Sequence, residues 1–220
     1  MSLEYKMTDF SDSHPRRRFV GRAAAALAAL SAGVPTVAHS GVRFGSEQSE
    51  HDAWMAPLKG KHRQIFHGFA AAEAPMLMAA NFLDSYAESF GAKSGEVNAV
   101  VGVHGPALTI GFTDAAWAKY SIGKSVSVTD SVTKEPAVRN IFRTGGPLSV
   151  EALQKRGVVF IMCNNALKIR SRAFAAERGE PYETVYEDLK SSRIPGTILV
   201  PALVIALNRA QEAGFSYVRA

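Results

Sequence analysis

From residue 61 onward the chain switches repeatedly between two hydrophobic patterns. Val97 to Val103 (VNAVVGV), Val158 to Met162 and Thr197 to Val200 are short apolar runs rich in β-branched residues. Runs that are continuously apolar rather than alternating belong to strands covered on both faces. His62 to Phe66 and Phe215 to Val218 add two further short strands. Between them the period lengthens. Met76, Ala79, Leu83, Tyr86 and Phe90 recur at helical spacing, with Pro75 near the start and Gly91 just past the end. Thr113 to Tyr120 and Leu148 to Arg156 predict short helices. Ala166, Ile169, Ala173 and Ala176 form a stripe that predicts a buried helix face ending at Gly179. Pro181 to Lys190 places Val185 and Leu189 inward, and Pro201 opens a last helix that Gly214 closes. Residues 121–147 are polar and punctuated by Gly and Pro, and a loop of that length is usually functional or an oligomer contact. Strands alternating with helices predict an α/β fold, a single doubly wound domain with a mostly parallel five-stranded sheet.

The first part of the chain follows a different logic. Pro15-Arg16-Arg17-Arg18-Phe19-Val20 precedes an alanine-rich stretch from Ala23 to Leu30, then Thr36-Val37-Ala38, a small-x-small cleavage site. Basic, weakly apolar and small-residue zones in that order predict a twin-arginine export signal over residues 1–38, and hence a periplasmic protein. The apolar zone is shorter than the roughly 20 residues a membrane-spanning helix needs. Once the signal is removed, no membrane span is expected. Residues 39–60 are rich in Ser, Gly, Glu and His without periodicity and are expected to be a flexible lead-in, with order beginning at Lys61.

Export changes the charge argument. Five of the 25 basic residues and three of the 20 acidic ones lie in residues 1–38, so 20 and 17 remain, a net of +3. No basic cluster is left that would argue for nucleic-acid binding. The lone cysteine cannot form an internal disulfide, so in an oxidising compartment it must be buried, kept reduced, ligated or paired between chains.

That residue, Cys163, closes the run GVVFIMC, and Asn164 and Asn165 after it are expected to cap a new helix. A thiol at a strand-to-helix junction lies where the positive end of a helix dipole favours its thiolate. The residues just past the first three strands are His67-Gly68, His104-Gly105 and Cys163-Asn164. In a parallel sheet of neighbouring strands these share one rim. An imidazole beside a thiol can serve as its proton partner, with His104 the better placed and His67 the second candidate. Gly105 leaves room for a ligand or a close backbone approach. The amides of Asn164 and Asn165 can hydrogen-bond an anion, and Arg170 lies nearly two turns further along on the cysteine's side of its helix. From pattern alone the opposite reading of Cys163, a small buried hydrophobe, has equal standing, and histidines at such positions are more often structural, as exposed helix arginines such as Arg170 are more often merely solvated. Two histidines and one cysteine lack the paired spacing of a metal motif, so neither metal nor cofactor is expected. No G-x-S-x-G elbow and no glycine-rich dinucleotide fingerprint occurs.

Four stretches, VVGVHGPAL, RGVVFIMCNNAL, GEPYETVYEDL and LVPALVIALNRAQEAGFSYVRA, together resemble the exported branch of the DsrE/DsrF-like (YchN-like) family over residues 61–220. The resemblance implies the doubly wound sheet and assembly into homotrimers or homohexamers. It also implies sulfur carriage as a persulfide on a strand-end cysteine, a role that would fall to Cys163, between a sulfur donor and an acceptor. Arg170 loosely matches a basic residue that follows that cysteine. The sequence departs where Ser171 stands in place of a glycine and where Asn164-Asn165 replaces smaller residues. Three functions are therefore expected: a persulfide carrier or sensor, a non-catalytic module binding a small molecule or metal, or a structural oligomer with a buried cysteine.

Overall fold

The computed structural model describes residues 49–220, so the expected export signal over residues 1–38 and residues 39–48 of the expected lead-in lie outside the described residues. Five strands, β1 (His62–Gly68), β2 (Val97–Val103), β3 (Val159–Cys163), β4 (Ile198–Val200) and β5 (Ser216–Arg219), form one sheet in the order β4-β3-β2-β1-β5. All four pairings are parallel. The domain is α/β and doubly wound.

The helices divide unequally between the two faces. α1 (Ala74–Phe90), α2 (Asp114–Lys119), α3 (Ile122–Ser125), α4 (Val150–Lys155), α5 (Asn164–Arg178) and α6 (Tyr182–Ser191) follow β1, β2 and β3. Their buried residues, among them Met76, Trp117, Ile122, Leu153, Phe174 and Leu189, pack on Phe66, Val101, Val103, Phe160 and Met162. α7 (Leu203–Glu212) joins β4 to β5 and lies on the other face, against Ile65, Val100, Ile161, Cys163 and Val200. The handedness rule explains the division. Successive connections from β1 to β4 step one way across the sheet, whereas the last steps back past β1, so right-handed crossovers place its helix on the opposite side.

One helix cannot cover a five-stranded face, and the residues before β1 supply the rest. A 3-10 segment, Glu50–Met55, is capped by Ser49 and buries Trp54 and, just beyond it, Leu58. Both belong to the α7-side core. The Arg209 guanidinium on α7 holds the buried Asp52 carboxylate through two N–H groups at 2.9 and 2.8 Å. Order therefore begins well before Lys61. Over residues 49–60 the expected flexible lead-in is corrected, because Trp54 and Leu58 are the apolar residues that this face still needs.

Two further expectations change. Residues 121–147 are a packed segment holding α3 and a bridge between Thr129 and Pro136. Buried Asn140 ties the segment to the domain, its amide donating to the carbonyls of Ile110 and Phe112 at 2.9 and 2.6 Å. The face that α5 buries consists of Leu167, Ser171, Phe174 and Ala175, while Ile169 stands exposed. The alanine stripe was the weaker signal because small residues fit either side of a helix. Among the described residues no helix is long and apolar enough to cross a membrane.

Trp54→Ala is expected to cost about 3 kcal/mol, the usual range for an aromatic removed from a core, measured by urea unfolding. A loss of a few tenths would mean that residues 49–58 are only a lead-in.

Candidate functional site

Parallel pairing puts the carboxyl ends of all five strands on one edge. Cys163 is the last residue of β3 and also the N-cap of α5. Its Sγ accepts a hydrogen bond from the Ala166 N–H, in the first turn of α5, at 3.4 Å. A second comes from the Leu203 N–H, the first residue of α7, at 3.3 Å. Asn164 and Asn165 are thus the first helical residues and not the cap, because the sulfur itself takes the capping role. The Asn164 Oδ1 accepts from the Tyr186 hydroxyl at 2.9 Å, pinning α6 to the start of α5. Asn165 is exposed and Pro201 precedes α7.

This is the position where neighbouring strands send their connections to opposite faces. β3 continues into α5 on one side and β4 into α7 on the other. Open α/β sheets bind their ligands in the crevice at such a switch point. Gly102 on β2 makes the approach of α7 close enough: a Cβ there would lie 2.9 Å from the Leu203 Cδ1. The thiol is nevertheless only 6% exposed.

The histidines lie on the same side of the sheet. His67 Nε2 and His104 Nδ1 are 2.7 Å apart, and His67 Nδ1 is 2.9 Å from the Tyr217 hydroxyl. Register explains the gathering. His67 is level with Arg219 on β5, and Ile65 with Tyr217, so residues two apart on adjacent strands share a face. On the other side, Val103 is level with Met162, which makes His104 and Cys163 the next residues of neighbouring strands. Cys163 forms no hydrogen bond with either histidine, and among the described residues no three His, Cys, Asp or Glu side chains gather as a metal-ligand group.

The other proposed site residues have structural tasks. Gly105 has φ +58, in the left-handed region, and a Cβ there would meet the Phe69 ring at 2.7 Å. That glycine lets the Phe69 ring stand edge-on to His104, with centroids 5.0 Å apart. Arg170 is half-buried above the Phe174 ring at 5.7 Å. Phe174 belongs to the core of the face opposite Cys163, so Arg170 leans away from the thiol rather than toward it. Burial lowers its pKa.

Sequence reasoning missed Tyr217 and Arg219. Their i, i+2 spacing in a terminal strand was visible, but only the pairing of β5 with β1 brings them beside His67. Burial, then His104, then the Arg219 guanidinium lower the pKa of His67. Burial, then Arg219, lower that of His104. Both imidazoles thus hold a ring proton less readily than a free histidine, which favours their neutral form.

Titration of the imidazole protons by NMR is expected to place both histidines below 6.5, their ordinary value. The unfolded chain then binds these protons more readily. The pair's contribution to stability is complete above about pH 6.5 and is lost as pH falls through the folded values. Arg219→Gln should raise both pKa values and shrink that acid-induced loss. Unchanged values in the variant would place Arg219 away from the pair.

No protein-family model matches the chain, and a search of curated proteins returns no match. Among solved structures the chain is similar to a protein of unknown function from Methanobacterium thermoautotrophicum. The two share 18% identity at a TM-score of 0.42, over 72% of this chain and 99% of that one.

Proposed function

We propose that this chain is an exported, homo-oligomeric sulfur carrier of the DsrE-like kind, loading sulfur as a persulfide on Cys163. The observation that carries the reading is the seat of the Cys163 Sγ at the switch point, where first-turn N–H groups of both α5 and α7 donate to it. Two amide donors at helix starts suit a sulfur that bears negative charge in its working state.

In the loading step the Cys163 thiol loses its proton to a neutral imidazole, His104 being the histidine next along the rim. The thiolate attacks the outer sulfur of a sulfane donor such as thiosulfate. A new S–S bond forms on Cys163, the donor's own S–S bond breaks, and sulfite leaves with the electron pair. An acceptor thiolate then attacks the terminal sulfur, and Cys163 departs as a thiolate. No net oxidant is needed and no metal takes part. The twin-arginine pattern supports a periplasmic setting for this chemistry, and the family resemblance supports a trimer or hexamer.

The low exposure of the thiol favours one second reading, a non-covalent module that holds a small molecule against His67, His104 and Arg219. The two separate cleanly. After incubation with thiosulfate or polysulfide and desalting, the carrier should release thiocyanate on treatment with cyanide, and Cys163→Ser should release none. Undiminished release from that variant contradicts the carrier reading. An absence of loading, together with ligand-dependent shifts of the histidine signals, supports the binding module.

A further inference from the structure

Tyr217, His67 and His104 are joined by two contacts in series, at 2.9 and 2.7 Å. We propose that these three side chains form a proton relay running from the rim beside Cys163 to solvent at the β5 edge, with Tyr217 as the exit. The inference rests on the sulfur-carrier reading only for the source of the proton.

A neutral imidazole carries one ring proton, so two hydrogen bonds in series allow two arrangements. In the first, both rings are protonated on Nδ1. His104 donates to His67, His67 donates to the Tyr217 oxygen, and the His104 Nε2 lone pair is open. In the second, both rings are protonated on Nε2, with the Tyr217 hydroxyl donating inward. A proton arriving at the His104 Nε2 converts the first into the second. The His104 Nδ1 proton passes to the His67 Nε2, the His67 Nδ1 proton passes to the Tyr217 oxygen, and the tyrosine's former hydroxyl proton leaves to water. One proton enters, one leaves, and no group retains a charge.

Three features suit this path. β5 is an edge strand and Tyr217 is 38% exposed, so its hydroxyl reaches solvent. Burial and the Arg219 guanidinium disfavour a charge resting on either ring, which makes the pair a conduit rather than a store. The Phe69 ring lies edge-on to His104 and adds no competing polar partner. Among the described residues no carboxylate side chain makes a hydrogen bond to either ring.

The test reads His104, which Tyr217 does not touch. In the full chain labelled with 15N-histidine, Tyr217→Phe is expected to shift the tautomer ratio of His104 as well as that of His67. In a His67→Phe background, the same tyrosine substitution should leave His104 unchanged. Tyr217→Phe keeps the ring and removes only the hydroxyl, so the strand pairing is retained. A His104 signal identical in the wild type and Tyr217→Phe overturns the relay. For sulfur loading, the rate in mixtures of light and heavy water should curve with deuterium content in the wild type and become linear in Tyr217→Phe. Identical profiles also overturn the relay. If Cys163 takes up no sulfur, the carrier reading alone falls and the imidazole spectra still decide the relay.

Discussion

Parallel pairing of the five strands brings every carboxyl end to one edge, and the backward step from β4 to β5 sends a single helix to the face opposite all the others. The rest of the site depends on those two consequences. Because α5 and α7 leave neighbouring strands for opposite faces, their first turns flank the end of β3, and the residue there receives an N–H from each. Cys163 occupies that place. The close approach depends in turn on Gly102, the position on β2 where Leu203 meets backbone instead of a side chain. A larger residue would lift the start of α7 and remove one of the sulfur's two donors.

The rim therefore holds two environments side by side. Under α7 the thiol is enclosed in the apolar core, and its hydrogen bonds come from two backbone amides. Toward the β5 edge the side chains become wetter, and imidazole, phenol and guanidinium groups lie within reach of one another. Partial burial, and after it the positive charge of Arg219, lower the pKa of both histidines and so favour their neutral forms. The enclosed sulfur and the imidazoles thus end neighbouring strands of one rim, which is the arrangement the proposed sulfur chemistry would use.

Where the sequence signal was strong, it matched the structure closely. VNAVVGV is β2 residue for residue, and the long helix after Pro75 has the expected start and end. The continuously apolar strands led correctly to a parallel sheet covered on both faces, but β3 runs on to Cys163 and β1 to Gly68, so Cys163, His67 and Gly68 end the strands rather than follow them. What was not legible has a common physical cause, namely that the information is tertiary. Trp54 lies in a stretch without periodicity and is ordered only because the α7 face needs covering. Leu167 and Phe174 outcompeted the alanines of α5 because larger side chains fill the space above Phe160 and Met162. Tyr217 and Arg219 lie about 150 residues from His67, and nothing local in the sequence says that β5 pairs with β1. The cap was misplaced by one residue because asparagine is the commoner cap, whereas here the thiol acts as the acceptor.

The most direct test of the account is the intact mass of the native protein after exposure to thiosulfate or polysulfide without reductant, with the modified peptide mapped. The account predicts a gain of one sulfur atom on the peptide bearing Cys163, reversed by a thiol reductant. A native protein that stays unmodified, while the same thiol reacts readily once the chain is unfolded, would make Cys163 a packing residue of the α7-side core and contradict the central claim.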